Sequence, residues 1–207
     1  MPQNGKFYPV KNTTTYEVHI TIEQIPSDTF IELCKILKLK PILIENDTGS
    51  GNLPQLMTSR FYRLPYKNTL DEVKRCEKFF EYHKIKVLRS KIEFIIPKNS
   101  LYLFPADMPS ILYQEFHTKY YIPLDKQDTF CYAVERQGGH TSTNSLKNPE
   151  YIFVTSRDQK SHEALKRQMS RESYIVLNSI HENVVFDTNP SLDVKWNQAC
   201  LECPLKS

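Results

Sequence analysis

The chain has 207 residues, of which 40% are hydrophobic and 25% are charged, and its formal net charge is +3 with a pI of about 8.5. This composition excludes a disordered or fibrous protein. It is also less basic than expected for a protein that binds long double-stranded DNA.

Membrane insertion and secretion are not expected. No run of about 18 apolar residues is present, and no apolar segment typical of a secretory signal follows Met1. The five cysteines are scattered and odd in number, which indicates reduced thiols in an intracellular, cytoplasmic protein. Cys200 and Cys203 have metal-ligand spacing but no second pair nearby, so we expect neither a metal nor another cofactor.

The first half is predicted to span residues 16–97, after an N-terminal tail of residues 1–15. Residues 16–23 alternate between apolar and polar side chains, which predicts a half-buried strand. Val18 shares its apolar face with two isoleucines, so His19 and Thr21 lie together on the opposite face.

Further elements of the first half follow from capping residues and composition. A helix is predicted to begin at Ser27, and a short buried strand follows at 42–44. The loop at 46–52 contains Gly-Ser-Gly, which could approach a phosphate but is more often a flexible turn. Thr69 begins a capping-box pattern, and residues 86–96 form the closing strand.

The second half is predicted to span residues 110–187, after a proline-bounded linker at 98–109. Its first strand places Glu115, His117 and Lys119 on one face. Residues 125–137 have ambiguous, partly helical character.

The rest of the second half contains one loop, two strands and a helix. The loop at 138–144 includes His140, a strand is predicted at 151–157, and Ser161 is expected to cap the next helix. A last strand runs from 175 to 186, before a C-terminal tail of residues 188–207.

Matched motifs indicate an internal duplication. The strand containing His19 recurs 98 residues later around His117, and Thr58-Ser59-Arg60 recurs 97 residues later as Thr155-Ser156-Arg157. Glu93 and Glu182 also occupy similar places in the two closing strands. We therefore predict an α+β fold of two pseudo-symmetric lobes, with mixed or antiparallel sheets lining a central groove and helices outside. The two lobes would form one domain.

Two histidines facing a common groove could act as an acid and base pair. Imidazole titrates near pH 6.5, so His19 and His117 could hold different protonation states near neutrality. The side chains predicted to hold phosphate are Thr21, Lys119, Arg60, Arg157, Thr58, Thr155 and His140. The simpler alternative is that these histidines and arginines are solvated or ion-paired surface residues.

His19-Ile20-Thr21-Ile22 resembles the His-x-Thr-x motif of the 2H phosphoesterases. The resemblance implies two pseudo-symmetric lobes, His19 and His117 as acid and base, and Thr21 as a phosphate ligand. Lys119 departs from this pattern, because the second motif would have Thr or Ser there. The implied function is a metal-independent phosphodiesterase acting on a cyclic phosphate or on an RNA or nucleotide phosphodiester, with a small nucleotide or RNA end as partner.

Two other interpretations stay open. The same residues could bind a nucleotide or RNA end without catalysis. Alternatively, Glu115-Phe116-His117-Thr118-Lys119 resembles the Glu-x-Glu-x-Lys strand of triphosphate-tunnel (CYTH) enzymes, which implies a metal-dependent phosphohydrolase. The chain is also similar to a family of small uncharacterised proteins with Glu-x-His-x-Lys strands, a similarity that implies no activity.

Overall fold

The computed structural model describes residues 15–45, 55–95 and 109–193. Within these residues it contains eight strands and four α-helices. The elements of the first half are β1 (Tyr16–Ile22), α1 (Ser27–Leu37), β2 (Lys40–Glu45), β3 (Gln55–Tyr62), α2 (Tyr66–Tyr82) and β4 (Val87–Ile95). Those of the second half are β5 (Tyr113–Tyr121), α3 (Gln127–Glu135), β6 (His140–Asn144), β7 (Tyr151–Ser156), α4 (Gln159–Arg171) and β8 (Ile175–Asp187).

The strands form one closed barrel in the order β1-β3-β2-β6-β7-β5-β8-β4, with antiparallel pairing throughout. The predicted fold of two lobes around an open groove is therefore wrong. Two strand pairs between the halves explain the difference: Ile44 on β2 pairs with Asn144 on β6, and Ile92 on β4 pairs with Phe186 on β8. Each half would otherwise expose two strand edges, and the closed barrel pairs both of them.

The apolar faces of the strands point outward, against the helices. On β1, Val18, Ile20 and Ile22 are buried in a core shared with Phe30 of α1 and Phe80 of α2. Burying such a side chain stabilises the fold by about 1.5–3 kcal/mol. Because successive side chains on a strand alternate, the opposite face of β1 points into the barrel.

The second half has a corresponding outer core. Tyr120 on β5 and Val154 on β7 pack there with Phe130 of α3 and Leu165 of α4. The neighbouring residues on these two strands, including His117 and Thr155, therefore face the barrel interior.

The register of the strands contradicts the duplication that the motifs indicated. Both halves have the order strand, helix, strand, strand, helix, strand. However, His19 pairs with Ser59, whereas His117 pairs with Thr155. The Thr-Ser-Arg motif is therefore shifted by one residue, which exchanges the inward and outward faces. Thr58 faces outward and Thr155 inward, so this repeat is not structurally equivalent, and the prediction of an internal duplication is wrong.

Several local predictions also change. Helix α2 begins at Tyr66, three residues before the predicted cap Thr69. The cap of α4 is Asp158, whose carboxylate accepts a hydrogen bond from the Ser161 amide at 2.7 Å. The predicted loop at 138–144 contains β6, because its polar residues pair with β7.

Some predictions fall outside the described residues, namely the 46–52 loop, most of the 98–109 linker and most of both tails. The lobe boundaries therefore stay a prediction. Among the described residues, no helix combines the length and apolar character needed to cross a membrane.

Candidate functional site

The barrel encloses a cavity of about 300 Å³. One part of its wall is charged, and another part is apolar. The charged and polar lining includes Glu17, His19, Lys40, Lys91, Glu93, His117, Thr155 and Glu182. The apolar lining comprises Ile42, Ile44, Met57, Phe61, Phe153 and Ile180.

Glu17, His19 and Glu93 form what we call the first triad. The Nδ1 atom of His19 lies 3.1 Å from the carbonyl oxygen of Thr58. A carbonyl oxygen only accepts hydrogen bonds, so Nδ1 carries a proton. The other ring nitrogen, Nε2, then faces the carboxylates of Glu93 and Glu17 at 2.8 and 3.7 Å.

Each carboxylate of the first triad is oriented by a further side chain. The hydroxyl of Ser59 donates to Glu17 at 2.5 Å. The ammonium of Lys91 contacts Oε1 of Glu93 at 2.5 Å, while Oε2 of Glu93 is the oxygen that faces His19. Supporting contacts of this kind fix the orientation of ligand side chains in metal sites.

Glu115, His117 and Glu182 form the second triad. Nε2 of His117 lies 3.3 Å from Glu115 and 3.2 Å from Glu182. Nδ1 of His117 lies 2.9 Å from the hydroxyl of Thr155. The side chain of His117 is 27% exposed, compared with 11% for His19.

Lys91 links the two triads. Its ammonium contacts Glu115 at 2.8 Å in addition to Glu93. Glu115 is also paired with Arg157 at 3.1 Å. Glu115 thus faces three cationic or ionisable side chains, whereas Glu17 contacts His19 and the hydroxyl of Ser59.

The carboxylates dominate the electrostatics of the interior. Burial alone would lower the pKa of His117, but hydrogen bonds and charge from Glu115 and Glu182 raise it to about 10. The pKa of His19 is raised by Glu93 and Glu17 against the same opposing effect of burial. Burial would raise the pKa of Glu93, but the cationic Lys91 and His19 lower it to about 2. His117 is therefore protonated at neutral pH, and the same carboxylate effect favours the protonated form of His19.

Glu93 is almost completely buried in the interior, at 1% exposure. Its oxygens contact Lys91 and His19, yet neither oxygen has a hydrogen bond of good geometry. The possible ligand atoms of the first triad, Glu17, His19 and Glu93, all lie within 4.8 Å of one another. The same holds for Glu93, Glu115 and His117, a set that combines Glu93 of the first triad with two members of the second. The interior can therefore hold either protons or a metal cation between its carboxylates.

The two ends of the barrel interior differ. Tyr113 and Lys119 lie on the inward face of β5, on opposite sides of His117. At the first end, Arg89 donates to Asp187 at 2.7 and 3.0 Å and to the Tyr113 hydroxyl at 2.9 Å, and that hydroxyl also bonds to Asp187. At the other end, the ammonium of Lys119 lies 3.6 Å from the centroid of the Tyr151 ring.

Several predicted site residues do come together. His19 and His117 lie on opposite sides of Glu93 and Lys91, and both line the cavity. Thr155 lies beside His117, and Lys119 follows it on the same face of β5. Arg157 is held by Glu115 and lies over the Tyr113 ring.

Other predicted site residues lie away from the cavity. Thr21 is buried but does not line it. Arg60 donates to the Leu37 carbonyl at 3.2 Å, and the Thr58 hydroxyl accepts from the Ile20 amide at 3.2 Å. His140 lies at the start of β6, and burial lowers its pKa to about 4.

The sequence motifs indicate no role for the interior carboxylates. Glu17 and Glu115 precede the two histidines by two residues, and this Glu-x-His spacing can be read directly from the sequence. Glu93 and Glu182 occupy matched strand positions. They come close to the histidines only because β4 pairs with β1 and β8 pairs with β5. Lys91 has no counterpart in the second half, because Ile180 stands opposite His117 where Lys91 stands opposite His19.

No family model matches the chain, and no curated protein matches it. A heme-binding protein from Thermus thermophilus is 10% identical over 83% of this chain and 91% of its own, with a TM-score of 0.30. A chlorite dismutase mutant from Candidatus Nitrospira defluvii is 8% identical over 91% of this chain and 96% of its own, with a TM-score of 0.31. The regulatory subunit of aspartate kinase from Thermus flavus is 8% identical over 75% of this chain and 90% of its own, with a TM-score of 0.34. Similarities at this level carry no argument about activity.

The predicted phosphodiesterase function is wrong, because carboxylates surround both histidines. Each histidine Nε2 faces two carboxylates, so a bound phosphate would meet concentrated negative charge. The same repulsion argues against an RNA end or nucleotide phosphate between the histidines. The triphosphate-tunnel interpretation also fails, because the cations beside the two triads, Lys91 and Arg157, are already paired with carboxylates. The resemblance to the 2H phosphoesterases now rests on the sequence motif alone.

Proposed function

We propose that the barrel interior binds a divalent first-row transition-metal ion at the first triad, beside a cavity that holds a small ligand. One observation carries the proposal: His19 donates from Nδ1 to a backbone carbonyl while Nε2 faces two carboxylates. This is the usual environment of a metal-binding histidine, whose second nitrogen is fixed by a hydrogen bond.

The distances support the proposal. Two ligand atoms each about 2.1 Å from one ion are separated by roughly 3.0–3.4 Å in octahedral or tetrahedral geometry. The separations from Nε2 of His19 to Glu93 and Glu17 are 2.8 and 3.7 Å, on either side of that interval. A small rotation of Glu17 would bring all three atoms to a single ion. A mixed imidazole and carboxylate ligand set suits Mn²⁺, Fe²⁺, Co²⁺ or Zn²⁺.

A metal ion would take the place of one positive charge in the first triad. Metal binding requires neutral imidazole, so the ion would replace the proton that now lies between His19 and Glu93. Lys91 contacts the other oxygen of Glu93 and can stay in place. Once bound, the ion would act as a Lewis acid toward an oxygen atom of a ligand in the cavity.

The proposal includes an intracellular location. Cys34 and Cys76 are free thiols, and both are buried in the helix-covered core of the first half. Free thiols persist in a reducing compartment. Burial raises the pKa of Cys34 to about 12, which keeps this thiol unreactive.

Calorimetry on protein first treated with a chelator tests the metal site. Mn²⁺ and Zn²⁺ should each bind with a stoichiometry of one, and His19→Asn should weaken binding by about 100-fold or more. His162→Asn is the matched control, because His162 is buried outside the barrel against Phe116. Wild-type protein that binds neither ion, or equal affinity in His19→Asn, would show that the triad is a structural ion-pair network.

A further inference from the structure

A cluster of three lysines lies at one end of the cavity, and it has no role in the metal site. Lys40 is on β2, Lys119 on β5 and Lys147 in the turn between β6 and β7. Lys40 itself lines the cavity. Lys119 is two residues beyond His117 on the same inward face, and its strand partner is Phe153 of the cavity wall.

The lysine cluster has no carboxylate partner among the described residues. The ammonium of Lys119 lies over the Tyr151 ring at 3.6 Å and near the Phe153 ring at 5.7 Å. Two acidic side chains on the same chain segments have other partners. Glu45 accepts a hydrogen bond from Ser145 at 2.7 Å, and Glu150 bonds to Tyr121.

The three positive charges also affect one another. Burial, Lys147 and Lys40 together lower the pKa of Lys119. Like charges held together without a counter-ion are unfavourable, and an anion bound among them would relieve the repulsion.

Several apolar side chains lie in the cavity wall next to the lysine cluster, together with polar side chains of β6. Ile42 and Ile44 of β2 follow Lys40 along the inward face, and Met57 of β3 is the strand partner of Ile42. Phe153 lies opposite, beneath the ammonium of Lys119. A ligand held by the lysines would therefore place its next few atoms against apolar side chains, with the first triad beyond them.

We infer that the lysine cluster binds the anionic end of a small organic carboxylate, whose apolar part fills the cavity beside the first triad. This inference rests on the proposed function, since it names the ligand that the metal would meet. A carboxylate is favoured over a more highly charged anion because Glu17, Glu93 and Glu182 also line the cavity. A cavity of about 300 Å³ suits a molecule at the small end of the range that proteins bind.

Hexanoate binding to the Mn²⁺-treated protein tests the inference, with hexan-1-ol and inorganic phosphate as comparison probes. Hexanoate should bind more tightly than either comparison probe. Lys119→Met should weaken hexanoate binding by about tenfold and leave hexan-1-ol binding unchanged. Lys160→Met, on the exposed surface of α4, is the matched control and should change neither.

The outcomes separate this inference from the metal proposal. Equal hexanoate affinity in wild type and Lys119→Met overturns the inference, whether or not Mn²⁺ binds. Phosphate that binds as tightly as hexanoate overturns the carboxylate assignment. Mn²⁺ affinity is measured on the same samples, and it should not change in Lys119→Met. Absence of Mn²⁺ binding in wild type overturns the proposed function alone. Hexanoate binding that still depends on Lys119 would then support carboxylate binding by the lysine cluster independently.

Discussion

The two triads have the same types of side chain, on the first and last strands of each half, but their surroundings differ. Lys91 stands opposite His19 across the β1–β4 pair, whereas Ile180 stands opposite His117 across the β5–β8 pair. The Nδ1 atom of His19 bonds to a backbone carbonyl, and that of His117 bonds to a hydroxyl. Glu115 already contacts Lys91 and Arg157. A repeated Glu-x-His strand therefore does not give a repeated site, because the neighbouring strands determine which cations are already paired with the carboxylates.

Because of these differences, the two triads have separate roles. In the first, Lys91 contacts one oxygen of Glu93 and leaves the other facing His19, so a cation can enter there. In the second, Glu115 is occupied and His117 is held in its protonated form by two carboxylates. Four predictions test this asymmetry.

The largest effect is expected from removing the cation that links the triads. Lys91→Met leaves the buried carboxylates of Glu93 and Glu115 without their ammonium partner, which should lower the free energy of unfolding by about 3–5 kcal/mol. Ile180→Met is the matched change at the equivalent position and should cost less than about 1.5 kcal/mol. Urea denaturation of both variants in metal-free buffer gives the comparison. Equal losses would mean that Lys91 contributes packing and little charge compensation.

The second prediction compares the histidines as metal ligands. His19→Asn should weaken Mn²⁺ binding by about 100-fold or more, corresponding to roughly 2.7 kcal/mol. His117→Asn should weaken it by less than about tenfold, because His117 acts only through Glu115 and Lys91 in this assignment. Calorimetry measures both constants. The opposite order would place the ion between Glu93, Glu115 and His117.

The part of this architecture that the sequence predicted is the local part. Alternation in residues 16–22 correctly placed Val18 in a core and His19 on the other face, because alternation depends only on neighbouring residues. It could not show whether the polar face meets solvent or the inside of a barrel, since that depends on closure by the β2–β6 and β4–β8 pairs.

The carboxylate partners were harder to predict for the same reason. Glu17 pairs with Glu93 across 76 residues of chain, and this contact exists only once β1 and β4 are in register. The Thr-Ser-Arg repeat misled the interpretation because a shift of one residue in register reverses the face of every side chain. Motif spacing alone does not contain that information.

The third prediction uses pH to compare an interior histidine with one in the barrel wall. The pKa of His117 is raised to about 10, so the stability it contributes is complete below pH 6.5 and is lost as the pH rises toward 10. Burial lowers the pKa of His140 to about 4, so its contribution is complete above pH 6.5 and is lost as the pH falls toward 4. Each change should be on the order of 1–2 kcal/mol.

Urea denaturation of metal-free protein at pH 4.5, 6.5 and 9 checks this expectation, with wild type most stable near the middle value. His117→Gln should reduce the loss on the alkaline side, and His140→Gln should reduce the loss on the acidic side. An alkaline limb unaffected by His117→Gln would mean that its carboxylate contacts do not persist in solution.

The smallest effect concerns the two threonines that contact the histidine rings. Thr155→Val removes the hydroxyl that lies 2.9 Å from Nδ1 of His117, and the valine leaves nothing to accept the proton of the imidazolium. Loss of a hydrogen bond to the charged form disfavours that form, so the titration midpoint of His117 should fall by roughly half a pH unit to one pH unit.

Thr58→Val is the matched change in the first half, but there the partner of His19 is the backbone carbonyl, which valine retains. Thr58→Val should therefore cost about 1 kcal/mol of stability, because the Ile20 amide loses its hydroxyl contact, and should leave the midpoint of His19 unchanged. Titration of the ring protons by NMR measures both midpoints. Equal shifts in the two variants would show that the carbonyl and the hydroxyl support their histidines in the same way, which would remove one of the two differences between the triads.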